Sequence, residues 1–428
     1  MLRAIRLENF RSFADSGRIE LSDLNVFIGP NSAGKTNLMT VIELALRGTS
    51  NASHQPLALD ELPSFASFDS VLRRNGSARK RRPTEFSIQL DVSRDEPRAR
   101  EGTRFRRYVF RKSPTSGAAF VHRAEYGAEG KPSSSTVEAK DSSGKEYRVV
   151  TPLDRTGLNV LFMKDGWSVQ LVTQPNIFTS IVLEASQQSG WPPREAIVVR
   201  PHRPIPRSVY VLDDPMVNAD DRRLITDLLR IWSEENGAKA RERILENLRT
   251  MTLAADIEVR TVARSQGVQM VEVRVTPQER GRAVTLTDVG YGVSQVLPLL
   301  SQDAQFINSD LLVYQPEAHL HPLAQSRLAD VFVGSIKRGN RAYVETHSEH
   351  LVLRLQALIA GGAIDPDRVR VFCVEHDGKK STVQAMLFDE RGVPTSPWPK
   401  GFLDTGLDLA RDLAQRRQSR PPAKKRDG

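Results

Sequence analysis

The chain has 428 residues, 39% hydrophobic and 26% charged, an ordinary globular balance with length enough for two or three domains. A formal net charge of +9 favours polyanionic partners without choosing among them. One cysteine excludes a disulfide framework. No signal peptide and no apolar run of the ~18 residues a membrane helix needs can be found, so a cytoplasmic protein without a membrane partner is expected.

MLRAIRLENFRSFADSGRIELSDLNVFIG (1–29) reads as an amphipathic strand, a polar turn and a second short strand. It runs into NVFIGPNSAGKT (25–36), with Gly29, Asn31, Ser32, Ala33, Gly34, Lys35 and Thr36 at phosphate-loop spacing. Glycines let backbone N–H groups turn inward around phosphate oxygens. Lys35 is a point charge for the β- and γ-phosphates, and the Thr36 hydroxyl is a Mg²⁺ ligand. A helix must follow at once, with its N-terminus facing the phosphates. Asn37 to Arg47 supplies it: Leu38, Val41, Ile42 and Ala45 form an apolar face, and Gly48 suits a C-cap. ATP and Mg²⁺ are the cofactors expected.

Residues 51–265 are too many for a simple crossover. EFSIQLDVS, RYVFRKS and YRVVTPLD alternate apolar and polar residues, which predicts a β-rich extension over roughly 84–185. Residues 79–112 hold twelve Lys/Arg against five Asp/Glu. That excess suits a stripe tracking DNA or RNA without sequence preference, with Phe105 and Tyr108 for stacking, and equally suits solvated strand faces. GKPSSSTVEAKDSSGK (130–145) reads as a flexible loop. Helical patterns in RRLITDLLRIW and RERILENLRTM predict an arm or lid from Ala219 to Thr252, without heptads for a long coiled coil.

In LTDVGYGVSQVLPLL (286–300), Gly290 and Gly292 permit a tight turn, and Ser294 and Gln295 open an apolar helix. A serine beside free N–H groups suits a phosphate; a glycine turn capping a core helix is the plain alternative. VYQPEAHLHP (313–322) follows an apolar strand, and RAYVETHSEHLVLRL (341–355) reads as a strand, then Thr346 and His347, then a helix. These two motifs hold four of the eight histidines, but without cysteines or an acid cluster a zinc site is not expected.

The opening strands, P-loop and 286–300 segment resemble the RecF, SMC and OLD-type ATPases, ABC-like proteins in which a second chain completes each half-site. With QPEAHLHP and ETHSEHL added, the chain resembles bacterial AAA/ABC-type ATPases related to OLD proteins, including antiphage ones of Septu-type and retron-linked systems. The resemblance implies a homodimer or higher oligomer beside a separately encoded effector such as a nuclease or a reverse transcriptase/toxin. It implies nucleotide contacts from Asn37 and, across the interface, from Gly292, Ser294 and Gln295, with His347 sensing the γ-phosphate. Relatives carry a metal-binding acid at the position of Tyr314, and a glutamate or glutamine at that of Gln315.

Glutamine can hold a water but cannot accept its proton. Two explanations stand open: a slow ATPase working as a nucleotide-gated clamp, or a glutamine introduced in place of a natural glutamate. Glu317 is a candidate for part of the catalytic role, with a structural role as its alternative, and Glu345 is a further candidate base. VEHDG (374–378) has one Glu and one Asp and no Asp-x-Asp follows it, so no TOPRIM nuclease is expected.

The expected fold class is α/β, an ABC-type head with a P-loop β-sheet and helices plus a β-rich and helical insertion. Its expected parts are an N-terminal ATPase lobe (1–50), the insertion (51–270), a C-terminal ATPase lobe (271–360) and an extension with a basic tail (361–428). The expected function is an ATP-binding dimeric subunit regulating an effector in antiphage defence; a RecF-like DNA repair clamp is the alternative.

Overall fold

The computed structural model describes residues 1–50, 67–73, 83–92, 104–114, 119–128, 135–139, 146–150, 159–163, 166–168, 194–201, 206–212, 214–215, 217–265, 268–277, 281–399, 401–403, 411–412 and 415. In chain order it begins with β1 (Leu2–Phe10), β2 (Phe13–Asp15), β3 (Ile19–Glu20), β4 (Leu24–Ile28), α1 (Lys35–Ser50) and the short α2 (Phe68–Val71). Then come β5 (Glu85–Val92), β6 (Arg104–Lys112), β7 (Ala119–Ala128), β8 (Ser135–Ala139), β9 (Glu146–Val150), β10 (Asn159–Met163), β11 (Gly166–Ser168), β12 (Ala196–Val199) and β13 (Tyr210–Val211). α3 (Ala219–Ser233) and α4 (Ala238–Thr250) precede β14 (Asp256–Ser265), β15 (Val268–Thr276) and β16 (Val284–Thr285). The last third holds α5 (Tyr291–Gln305), β17 (Asp310–Tyr314), α6 (Pro322–Lys337), β18 (Arg341–Glu345), α7 (Glu349–Ala360), β19 (Val369–His376) and β20 (Ser381–Met386).

The central sheet runs β12-β17-β18-β4-β19-β20, parallel except for the final pair. Both its faces are covered, which is why its strands read as near-continuous apolar runs. Alternation splits each strand between two cores. Leu24, Val26, Ile28, Leu311, Val313, Ala342 and Val344 enter a core with α3 to α7. Phe27, Leu312, Tyr314, Tyr343 and Phe372 enter another with α1 and β1. Phe27 and Phe372 lie opposite each other in the β4–β19 register and stack at 5.0 Å.

The second core is closed by an antiparallel sheet ordered β11-β10-β9-β8-β7-β6-β5-β1-β2, with β3 on β1. Phe86 of β5 stacks on Phe110 of β6 at 4.8 Å and meets Phe10 of β1 edge-on at 5.8 Å. Caught between two sheets, α1 is buried on almost every side, Met39, Leu44 and Leu46 as well as the face the periodicity marks. It also continues through Gly48 instead of ending there.

The α/β class is as expected, a mostly parallel central sheet with helices on both faces and an added antiparallel sheet. Three details differ. Ser135–Ala139 pairs with β7 and β9 as a strand within the segment read as a loop, since cross-strand hydrogen bonds outweigh its weak propensity. The remainder of that loop, residues 169–185 of the β-rich stretch, and the tail from 416 onward lie outside the described residues. α3 and α4 form no arm: Leu224, Ile225, Leu228, Ile231, Ile244 and Leu248 are core residues packed with α5 and β14. Their amphipathicity is therefore that of any helix laid on a core. Finally β12, inside the span read as an insertion, is the edge strand of the central sheet. Among the described residues no helix is long and apolar enough to cross a membrane.

Leu228 is fully buried, so Leu228→Ala is expected to destabilise the folded chain by about 2–5 kcal/mol. The urea midpoint measures this; an unchanged midpoint would mean that α3 and α4 are an appendage after all.

Candidate nucleotide site

β4 ends at Ile28 and the chain turns through Gly29 and Gly34, at φ +139° and +114°. A Cβ on Gly29 would lie 2.1 Å from the Val374 carbonyl oxygen, so the loop can sit beside β19 only as glycine. α1 then starts at Lys35, with Asn37 N and Leu38 N donating to the Gly34 carbonyl at 3.1 and 3.2 Å. Asn31 and Ser32 are exposed and Ala33 is buried. Lys35 Nζ donates to the carbonyls of Gly29 and Pro30 at 3.0 and 2.8 Å. Burial lowers the lysine's pKa, against the pull of Glu345 and Glu317. A poorly hydrated ammonium held on weak carbonyl acceptors is poised to exchange them for a phosphate.

The parallel strands β17 and β18 bring their carboxyl ends to the same edge, where ligands of open α/β sheets bind. Glu345 closes β18 between Tyr314 and Phe27. Its Oε1 accepts from Thr36 Oγ1 at 2.8 Å, and its pKa is raised by burial, with Thr36 and Lys35 pulling it back. Gln315 takes a left-handed φ of +46° and donates its N–H to the Glu345 carbonyl at 2.7 Å, which starts the turn through Glu317. Both Glu317 oxygens are engaged, Oε1 by His347 N–H at 2.7 Å and Oε2 by Thr346 Oγ1 at 2.8 Å. Glu317 therefore fixes the turn that presents His347. The His347 side chain is exposed; burial and Lys35 hold its pKa down, favouring neutral imidazole at pH 7.

Tyr314 faces elsewhere. Its hydroxyl donates to Glu43 Oε2 at 2.9 Å, within α1. Glu43, fully buried, also pairs with Arg47 at 3.0 Å and Arg200 at 2.5 Å, and the Arg200 guanidinium lies 5.6 Å from the centre of the Tyr314 ring. Burial first, then Glu43, push the phenol's pKa up, so it stays a neutral donor. No sequence signal marked Glu43, Arg47 or Arg200, because they come from two distant segments. Arg11, equally unmarked, donates to Asn37 Oδ1 at 2.8 Å, so Asn37 ties the loop after β1 to α1.

The 286–300 segment is placed differently from the expectation. α5 begins at Tyr291, three residues before Ser294, with Gly290 as N-cap. Ser294 and Gln295 are buried in its first turns, and Ser294 Oγ donates back to the Tyr291 carbonyl at 2.9 Å. Tyr291 is 55% exposed, its ring 6.0 Å from that of His319. Gly292 packs near Leu320 and the His319 carbonyl, which joins this helix start to the VYQPEAHLHP turn of its own chain. No described hydrogen bond or ion pair links Ser294 to residues 29–37.

His321 caps α6 through Nδ1, accepting from Leu323 N–H at 3.4 Å. Among the described residues no group of three His, Cys, Asp or Glu could hold a metal ion. Asp365 and Asp367, an Asp-x-Asp pair just before β19, form a turn in which Asp365 accepts from Asp367 N–H at 2.8 Å. Cys373 is buried in β19, its thiol pushed up to about 12 by burial and Glu375. The basic stripe is largely paired where described: Arg107 with Glu8 and Glu125, Arg111 with Glu85, Lys112 with Asp69. Tyr108 is 1% exposed and so unavailable for stacking on a base.

Residues 1–95 match the family described as AAA ATPase domain. The chain is an ATPase. No curated protein matches it significantly. Among solved structures it is similar to an SMC head bound to the C-terminal winged-helix domain of ScpA, at 13% identity and TM-score 0.48, over 91% of this chain and 98% of that one. A Pyrococcus furiosus SMC head with extended coiled coil, bound to the C-terminal domain of ScpA, gives 10%, 0.44, 97% and 99%. An SMC head from Thermotoga maritima gives 13%, 0.39, 92% and 99%.

Replacing Lys35 with alanine removes one charge-assisted contact to phosphate, so the ATPase should bind a triphosphate about 10- to 100-fold more weakly while staying folded. Calorimetric titration measures it, and unchanged affinity would take the P-loop assignment away.

Proposed function

We propose that this ATPase binds ATP–Mg²⁺ at the edge where β4, β17 and β18 end, closes over it as a homodimer, and uses that closure to control a separately encoded effector. The convergence of Lys35, Thr36, Glu345, Gln315 and His347 on one edge carries the nucleotide part of the reading. The dimer rests on the motif resemblance of 286–300 and on the exposure of Tyr291 at the start of α5. Because Ser294 is buried, the groups offered to a partner's phosphate are the backbone of residues 290–292 and Tyr291. The effector role, antiphage defence included, rests on the motif resemblance in QPEAHLHP and ETHSEHL. Thr36 would hold the metal through its hydroxyl and Lys35 the phosphates. Magnesium, when bound, neutralises phosphate charge; Gln315 orients a water and Glu317 holds His347 in reach.

Light scattering should show the chain doubling in mass with ATP–Mg²⁺ and not without nucleotide; a mass that ATP leaves unchanged would rule out nucleotide-driven dimerisation. Copurification with the products of neighbouring genes should recover the effector. Steep salt-dependent binding of bare DNA by the chain alone would favour a repair clamp instead. Gln315→Glu, which adds a base where a water is held, should raise single-turnover hydrolysis by about 10²-fold or more. If the unaltered chain is already fast and the variant no faster, the base lies elsewhere.

A further inference from the structure

The resemblance of VYQPEAHLHP to related ATPases implies a metal-shell carboxylate at position 314, which here holds a phenol turned toward Glu43. Mg²⁺ takes oxygen ligands in near-octahedral geometry, usually one or two carboxylates together with substrate phosphates and waters. The carboxylate it needs stands one strand over. Glu345 lies opposite Tyr314 in the β17–β18 register, so both strands reach the same level at the edge of the sheet. One Glu345 oxygen accepts from Thr36, the P-loop hydroxyl. Its other oxygen, Oε2, is buried without a hydrogen-bond partner among the described residues, although the residue is only 4% exposed. A buried carboxylate oxygen left unsatisfied costs stability, and such an atom in a folded protein calls for a ligand or a functional reason.

We infer that Glu345 is the metal-site carboxylate of this ATPase, standing in for the acid absent at 314, and that Tyr314 belongs to a structural cluster with Glu43, Arg47 and Arg200. The inference deepens the nucleotide reading above and rests on it. The donors suit the ion: a hydroxyl and a carboxylate are hard oxygen ligands, already 2.8 Å apart. Glu317, the other acid nearby, is committed through both oxygens to Thr346 and His347 and does not compete. Tyr314 is held by Glu43 while Arg200 covers its ring, so the phenol fills the core above α1 and leaves the metal role to β18.

The test compares binding of a fluorescent ATP analogue to the full chain in EDTA and in Mg²⁺, a readout independent of hydrolysis. Magnesium should tighten binding to the unaltered chain. Glu345→Gln keeps an acceptor for Thr36 but loses the charge; the ratio of its Mg²⁺ affinity to its own EDTA affinity should fall by about 10- to 100-fold relative to that of the unaltered chain. Tyr314→Phe should keep the tightening. Glu345→Asp, carrying a carboxylate on a shorter stem, should fall between glutamine and the original; it also serves if the glutamine variant fails to fold. Mn²⁺ titration of the nucleotide complex by electron paramagnetic resonance should give the same order. A full magnesium effect in Glu345→Gln, or its loss in Tyr314→Phe, overturns the assignment while nucleotide binding stands. A chain that binds no analogue in either medium overturns the nucleotide reading and the assignment together.

Discussion

The site depends on the parallel pairing of β18 with β4 on one side and β17 on the other. That pairing carries Glu345 to the P-loop threonine, about three hundred positions away in sequence. It also sets the turn after β17, because the N–H of Gln315 can reach the Glu345 carbonyl only if both strands end level. Glu317, two residues further on, then clamps Thr346 and His347. A one-residue slip of β18 would turn Glu345 to the opposite face and break all of these contacts at once.

The same sheet explains how polar groups are tolerated so deep. Glu43 is fully buried in α1, and its charge is offset by Arg47, Arg200 and the Tyr314 hydroxyl. Removing one member would leave a buried charge incompletely satisfied, which is costly even where the assembled cluster adds little net stability. Glu345 differs: it keeps an unsatisfied oxygen at the edge of the site. A buried carboxylate oxygen without a partner costs stability, which the satisfied oxygens of Glu43 avoid.

The basic stretch illustrates the opposite case. β6 carries Arg104, Arg106, Arg107 and Arg111, and the neighbouring strands place Glu125 opposite Arg107 and Glu85 opposite Arg111. Exposed pairs of this kind contribute little stability each, but they lower the positive field that a polyanion would meet. Tyr108, which alternation places on the inward face of β6, joins the aromatic core instead of the surface.

The sequence by itself determined what depends on neighbours in the chain. Glycines at fixed offsets before Lys35 and Thr36 specify a phosphate loop, because only that backbone permits it. The strand-turn-helix order of 341–355 followed from its run of residue types, and β18 and α7 bear it out. Pairings between distant segments were decided by the tertiary structure alone. Tyr314 was legible as a missing acid but not as the partner of Glu43, and Glu345 as a spare candidate base but not as the neighbour of Thr36. Strand order supplies those contacts, and no local pattern encodes strand order. The amphipathic helices α3 and α4 make the same point: an apolar stripe states that a helix is covered, while what covers it depends on the packing of the whole chain.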